Sequence, residues 1–312
     1  MSFFPFVLLL LFLLLFMIVV SLVLLVIGPV MLLQPHRRTA DYYRRAGSPL
    51  HPRDAGLPSE ELTLTTAEGI PLSCWLISRP DARGTVIYLH GVSECKIVGL
   101  PVAALLYRRG YNVFLYDARR HGDSGGSYCT YGFYERHDAG RVMDYLSARE
   151  DFPLGRIGLF GSSMGAAVAL QVAACDARVA AVIAESGFAT LHTIFDDYQK
   201  RVIRLPWHYL RNIVIRRSEY IAHFKAAAVS PLAAVEKITV PLFILHGTAD
   251  TLIRPEYSAQ VYARARPPKE LWLIPGARHD NIAQVGGTEY AERVAAFFDA
   301  HLPGGGTQRP NQ

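Results

Sequence analysis

The stretch Leu159–Ala167, LFGSSMGAA, places Ser163 between two glycines, Gly161 and Gly165. This G-x-S-x-G pattern is typical of a nucleophile elbow, a sharp turn from a strand into a helix that exposes the serine hydroxyl. The outer positions are glycine because so tight a turn leaves no room for a Cβ atom. Since the bare pattern also occurs by chance, its weight depends on the sequence around it.

The flanking residues predict the strand and the helix that such a turn requires. Arg156–Phe160 precede the elbow and are typical of a short buried strand. Ala166–Ala174 follow it and predict a helix whose small side chains allow it to lie close to a sheet. The amino terminus of this helix favours negative charge beside Ser163. The stretch therefore indicates a serine placed for nucleophilic attack.

A nucleophilic serine needs a base and an acid, and two later loops offer them. Asp250 and His279 each follow an apolar, strand-like segment, in the chain order serine, acid, histidine. If those strands are parallel, all three side chains leave the same edge of one sheet. Each residue also has a plainer interpretation, since Asp250 could cap a helix and His279 could be an ordinary loop histidine. Glu185 and Asp280 are alternative acids.

Ester or amide hydrolysis also requires two N–H donors for the negative oxygen of the tetrahedral intermediate. The backbone N–H of Met164, directly after the nucleophile, is the first candidate. The second should come from the loop after an early central strand, and Thr85–Leu89 predict such a strand, which makes the N–H of Val92 the second candidate. We interpret the nearby His90 as a structural residue whose ring holds this loop.

The chain resembles the α/β-hydrolase superfamily, through short motifs spread over residues 60–302. The motifs are His90-Gly91, Asp117–Ser124, Gly161–Gly165, Ser230-Pro231, His246–Asp250 and Gly276–His279. The pattern is most similar to membrane-anchored serine hydrolases that act on monoacylglycerols, lysophospholipids or acyl-proteins. The stretch from Asp117 departs from the common Asp-x-Arg-Gly-x-Gly-x-Ser form at Arg120 and His121, which alters a structural turn rather than the chemistry.

This resemblance implies a mostly parallel central sheet flanked by helices, with a small helical cap. It also implies catalysis by Ser163, Asp250 and His279 through an acyl-serine intermediate, with Val92 and Met164 as the oxyanion hole. We expect no metal or organic cofactor, and the four cysteines have neither paired nor zinc-ligand spacing. As free thiols they suit a reducing compartment.

Residues 1–33 form the second strong signal, because no charged side chain occurs in them. About twenty apolar residues cross a bilayer core, so the run predicts an N-terminal transmembrane helix. A cleaved signal peptide is the alternative, but it requires a basic start and an Ala-x-Ala-like cleavage site, which the sequence lacks. Arg37, Arg38, Arg44 and Arg45 follow the run, and this charge bias predicts a catalytic domain on the cytoplasmic side.

Composition divides the remainder of the chain. Residues 34–59 are rich in Pro and Arg and are interpreted as a linker, residues 60–302 as the hydrolase domain and residues 303–312 as a flexible tail. Two alternating segments, Leu62–Thr65 and Leu72–Ile77, predict an early antiparallel strand pair. Residues 188–228 exceed what the core requires and predict a cap over the serine.

The cap is strongly basic. Between Asp196 and Lys225, seven basic residues stand against three acidic ones, a net charge of +4 out of +5 for the chain. Aliphatic and aromatic residues are interleaved with these charges: Ile203, Leu205, Trp207, Tyr209, Leu210, Ile213, Val214 and Ile215. This mixture suits an interface with anionic lipid headgroups. A solvated cap whose apolar side packs on the core is the equal alternative. No nucleic-acid-binding motif accompanies the charge.

The sequence thus predicts a membrane-anchored serine hydrolase that cleaves carboxylic esters, with lipid or acyl esters as substrates and membrane lipids as its surroundings. No nucleic acid and no obligate protein partner are expected. A peptidase or thioesterase on the same scaffold is one alternative. A catalytically inactive, membrane-tethered binding protein is another, although it would not need a complete triad.

Overall fold

The computed structural model describes residues 3–202 and 208–302 and contains an eight-stranded sheet. The strands, in sheet order, are β1 (Glu60–Thr65), β2 (Pro71–Ile77), β4 (Asn112–Tyr116), β3 (Gly84–Leu89), β5 (Arg156–Ser162), β6 (Val179–Glu185), β7 (Leu242–Gly247) and β8 (Lys269–Ile274). β1 and β2 form the predicted antiparallel pair, and β2 also runs antiparallel to β4, whereas the other neighbours are parallel. The α/β-hydrolase fold, with its mostly parallel sheet, is confirmed.

Helices cover both faces of the sheet, because its central strands are apolar on both sides. α5 (Glu135–Ala148), α6 (Met164–Ala173) and α10 (Pro255–Arg264) pack on one face. α4 (Leu100–Arg108) and α11 (Ile282–His301) pack on the other. Parallel strands between two helical layers bring the ends of β5, β7 and β8 to one edge, where the candidate site lies.

From Phe3 to Leu33 the apolar run is helical. It comprises α1 (Phe3–Leu22), a single π-helical stretch (Val23–Ile27) and α2 (Gly28–Leu33). Over Phe4–Leu33 it is long and apolar enough to cross a membrane, and its most apolar portion is not buried against the protein.

Residues 34–59, predicted to be a linker, lie on the hydrolase domain. They include α3 (Ala40–Arg45) and a short 3₁₀ turn (Pro52–Ala55). Tyr43 and Leu57 are buried in the same cluster as Trp75 of β2. The Arg37 guanidinium donates to the backbone oxygens of three residues in a loop more than 80 positions away: Gly122, Ser124 and Gly126. This segment therefore contributes to the packing of the domain.

The predicted cap region between β6 and β7 contains α7 (Leu191–Val202) and α8 (His208–Ala222), followed by the short α9 (Pro231–Ala234). Phe188, Phe195 and Ile215 from this region are buried in one cluster with Met164, beside the elbow. The apolar side of the cap thus packs over the carboxyl edge of the sheet. Residues 203–207 of the cap and the predicted tail 303–312 lie outside the described residues.

Candidate active site

The turn at Ser163 has the strained geometry that its sequence predicts. Ser163 has φ 56° and ψ −115°, a conformation that L-residues rarely adopt. Its backbone N–H donates to the backbone oxygen of Glu185 at 2.8 Å. A Cβ atom on Gly165 would overlap the backbone oxygen of Leu89, and one on Gly161 would overlap the backbone of Gly165. Only glycine fits both positions, which explains the G-x-S-x-G spacing.

The structure brings together the three residues predicted as a triad, from the loops that follow β5, β7 and β8. His279 Nε2 lies 3.1 Å from Ser163 Oγ, and His279 Nδ1 lies 2.7 Å from Asp250 Oδ2. Ser163 and Asp250 are buried, so water does not screen the bonds that align them. In this arrangement the imidazole can accept the serine proton at Nε2 while Nδ1–H donates to the carboxylate.

Asp250 is held as a carboxylate by four donors. Its Oδ1 accepts the backbone N–H groups of Leu252 and Ile253, both at 2.8 Å, and its Oδ2 accepts from His279 and His246. Burial alone would raise the pKa of Asp250, but the hydrogen bonds from His246, His279 and Ile253 outweigh burial and hold the pKa well below its usual range. The carboxylate is therefore ionised and available to stabilise a charged imidazolium.

His246 is a site residue that sequence reasoning did not identify. Its Nε2 lies 3.1 Å from Asp250 Oδ2 and 3.0 Å from the Ile253 oxygen, and its Nδ1 lies 2.7 Å from Ser258 Oγ. Donation to the Ile253 oxygen requires the proton on Nε2, so Nδ1 accepts from the Ser258 hydroxyl. The fully buried ring thus holds Asp250 in position. Its signal in the sequence is its position at the start of the His246–Asp250 motif, directly after an apolar strand-like segment.

The loop predicted to hold the second oxyanion donor packs directly on the elbow. A Cβ atom on Gly91 would lie 3.2 Å from Ser163 Cβ, and Val92 packs against the cluster that contains Met164. Among the described residues, no hydrogen bond is donated by the backbone N–H of Val92 or of Met164. Met164 directly follows the serine and Val92 directly follows Gly91, so both N–H groups remain candidates for the oxyanion hole.

His90 has the contacts of a structural residue. Its Nδ1–H donates to the Gly91 oxygen at 2.8 Å, and its Nε2 accepts the Ala118 N–H at 2.9 Å, which fixes the loop that carries Val92. Burial lowers the pKa of His90 to about 4, so the ring is neutral. The buried His121 ring, one of the two departures from the superfamily pattern, packs against it at 5.1 Å between centroids.

The two alternative acids are engaged elsewhere. Glu185 accepts the hydroxyls of Ser162 at 3.0 Å and Tyr290 at 2.7 Å, and burial raises its pKa. Asp280 is paired with Arg278 at the surface. Asp250 is therefore the carboxylate that is hydrogen-bonded to the His279 ring.

Within the ranges 3–202 and 208–302, no group of three or more His, Cys, Asp or Glu side chains is arranged to hold a metal ion. The four cysteines are free thiols, three of them buried.

Comparison with known proteins agrees with this fold. The structure of the Pyrococcus furiosus esterase Pf2001 superimposes with a TM-score of 0.68 at 30% identity, over 81% of this chain and 96% of that one. YqkD of Bacillus subtilis, described as uncharacterised, is 31% identical over 238 residues, which are 76% of this chain and 78% of YqkD. The Arabidopsis thaliana protein WAV2, described as an α/β-hydrolase domain-containing protein, is 25% identical over 82% of this chain and 83% of its own length.

The fold and these relatives define the protein as an α/β hydrolase. The family described as "Serine aminopeptidase, S33" matches residues 80–223 and 217–284, and the chain belongs to this family.

Proposed function

We propose that this protein is a membrane-anchored serine hydrolase that cleaves carboxylic esters, with lipid or acyl esters as its substrates. The observation that carries the proposal is the His279 ring, which bridges Ser163 Oγ and the Asp250 carboxylate. A hydroxyl bonded to an imidazole that is itself bonded to a buried carboxylate is the arrangement that activates serine.

The reaction proceeds in two halves. Ser163 Oγ attacks the ester carbonyl carbon while His279 Nε2 takes the hydroxyl proton, and the Val92 and Met164 N–H groups stabilise the oxyanion. The intermediate collapses as His279 returns that proton to the leaving alcohol, which leaves an acyl-serine. A water molecule then gives a proton to His279 and attacks the acyl carbon. Collapse of the second intermediate releases the acid and restores the Ser163 hydroxyl.

Three observations support the substrate class: one supports an ester, and two favour a lipid or acyl group. The apolar helix Phe4–Leu33 is long and apolar enough to cross a membrane. The esterase Pf2001 shares the fold at 30% identity. Met164, beside the nucleophile, packs in a buried apolar cluster with the cap, so the protein next to Ser163 is apolar, as an acyl substrate favours. The arginines that follow the helix support a cytoplasmic catalytic domain.

The family description makes peptide cleavage the alternative. An aminopeptidase must bind the ammonium group of a free amino terminus, for which a carboxylate is a natural partner. Glu94, beside the oxyanion loop, already accepts the Gly91 N–H at 2.9 Å and lies 3.6 Å from the Arg38 guanidinium. Because these groups engage Glu94, we favour an ester over a peptide.

The test is active-site labelling of the detergent-solubilised protein with a fluorophosphonate, beside hydrolysis of p-nitrophenyl butyrate. Ser163→Ala and His279→Ala should abolish both signals. Ser162→Ala is the matched control and should keep both, since Ser162 bonds to Glu185 rather than to His279. Matched thioester and amide substrates separate the alternatives. Full p-nitrophenyl butyrate turnover by Ser163→Ala would refute the assignment, and a folded wild type that is never labelled would favour a binding protein.

A further inference from the structure

The surface where the apolar helix meets the cap exposes large side chains. On α2, Val30 and Met31 face outward, and Met31 is 68% exposed. On α8, Ile213 and Tyr220 are exposed, with Tyr220 at 71%. Because α2 and α8 pack on each other, exposed large side chains on both helices indicate a surface with a partner.

The apolar helix is hydrogen-bonded and packed against the candidate site at this point. The Tyr131 hydroxyl donates to the Leu32 oxygen and the Cys129 N–H donates to the Leu33 oxygen, each at 2.8 Å. Leu33 itself is buried in one cluster with Met164, next to the nucleophile. The orientation of the helix therefore determines the orientation of the Ser163 site.

The position of α8 along the apolar helix sets the depth of α8 relative to the membrane. α8 packs on α2 through Val214, whose Cγ2 would lie 2.8 Å from a Cβ atom on Gly28, so this position requires glycine. The twenty residues of α1 are by themselves long enough to fill a hydrocarbon core of about 30 Å, and we place them there because α8, which carries arginines, packs on the residues that follow. Gly28 then lies about 9 Å beyond Leu22, which is the level of the lipid headgroups.

The outward face of α8 has the chemistry of a headgroup contact. Ile213, Arg216, Arg217 and Tyr220 are exposed and share one side of the helix by their spacing. The Arg217 guanidinium lies 5.3 Å from the centre of the Tyr220 ring. Arginine and tyrosine present an apolar body and a polar end, which suits the boundary between lipid and water, and arginine also attracts anionic lipid.

We propose that Val30, Met31, Ile213, Arg216, Arg217 and Tyr220 form a membrane-seating face that rests on the headgroups of an anionic bilayer. This face would hold the mouth of the Ser163 site at a fixed height and orientation, so that its substrate comes from the adjacent leaflet. The inference rests on the membrane span in the proposed function. Its test measures position rather than hydrolysis, so a failure of either proposal can be told from a failure of the other.

The experiment places an environment-sensitive thiol probe on the full-length protein in vesicles. Tyr220→Cys is combined with Cys175→Ser, because Cys175 is the exposed native thiol and the other three are buried. The control is the native protein labelled at Cys175, which follows α6 at the sheet edge opposite to Ser163. Vesicles of phosphatidylcholine, and of an equimolar mixture with phosphatidylglycerol, carry a nitroxide quencher at the headgroup.

We expect the quenching at position 220 to exceed that at Cys175 by about three-fold or more, and to increase with phosphatidylglycerol. Equal quenching at the two positions would overturn the proposal. Strong quenching at position 220 by aqueous iodide would also overturn it, since that result is expected if the bilayer leaves this face open to water and the face serves a protein partner instead. Arg216→Glu combined with Arg217→Glu should abolish the effect of phosphatidylglycerol while p-nitrophenyl butyrate hydrolysis persists. An unchanged effect would refute the role assigned to the two arginines.

Discussion

Asp250→Asn is the sharpest test of how this site works, because the structure states what each atom of the new side chain would meet. The amide oxygen can keep the backbone N–H groups of Leu252 and Ile253. The amide NH₂ must then occupy the position of Oδ2, where His246 and His279 now donate. An N–H group facing an N–H group is unfavourable, so the His279 ring must change its tautomer.

The cost of that change can be bounded. With Nδ1 as the acceptor from the amide, His279 carries its proton on Nε2, toward Ser163, and cannot act as the base. The ring also loses the carboxylate that stabilises its charged form. In a serine protease, the corresponding change lowers kcat by about 10⁴-fold, or roughly 5 kcal/mol of barrier. We expect a loss of this order, with KM little changed because Asp250 is buried away from bound substrate.

The assay is p-nitrophenyl butyrate hydrolysis by the purified variant, with circular dichroism and a thermal scan as checks on folding. Asp280→Asn is the matched control, since this acid lies next to His279 in the chain but pairs with Arg278 at the surface. It should retain activity within about two-fold. A folded Asp250→Asn protein with more than about a tenth of the wild-type kcat would refute the reasoning, and so would an equal loss in Asp280→Asn.

Two further predictions concern stability, and both are measured by urea unfolding in detergent. Arg120 has φ 67°, a backbone conformation that glycine adopts without strain, so Arg120→Gly should raise the free energy of unfolding by about 1 kcal/mol. Arg120→Ala keeps the backbone strain and should not raise the free energy of unfolding by this amount. Burial lowers the pKa of His90 to about 4 from about 6.5, so the unfolded chain binds more protons between these values. The contribution of His90 to the free energy of unfolding is therefore fully present above about pH 6.5, and it falls by roughly 2 kcal/mol on acidification from pH 7.5 to pH 5. Burial lowers the pKa of the neighbouring His121 to about 3, so His121 adds a loss in the same direction. A free energy of unfolding that does not change over this pH range would contradict the prediction.

Local patterns were enough to predict the fold and the position of the nucleophile. The elbow is determined by steric contacts between residues close in the chain, since the glycines that flank Ser163 lie within the turn itself. The central strands are near-continuous apolar runs and the edge strand β1 alternates, so their burial could be predicted from the residue pattern. The predicted alternation of β2 is wrong, because β2 lies between β1 and β4 and is buried over most of its length. The order of Ser163, Asp250 and His279 followed from strands that end at a common edge.

Other features depend on neighbours that are distant in the chain, and only the tertiary structure decided them. The choice of Asp250 over Glu185 rests on which carboxylate the His279 ring contacts. The role of His246 rests on hydrogen bonds to Ile253 and Ser258, which follow it in the chain. Residues 34–59 look like a linker because they are polar and rich in proline, yet Arg37 finds its acceptors more than 80 residues away. The sequence by itself determined the scaffold and the nucleophile, because steric limits and burial act over a few residues. The tertiary structure decided the acid, its supporting histidine and the docking of the segment after the apolar helix, because a hydrogen bond depends on distances that only folding establishes.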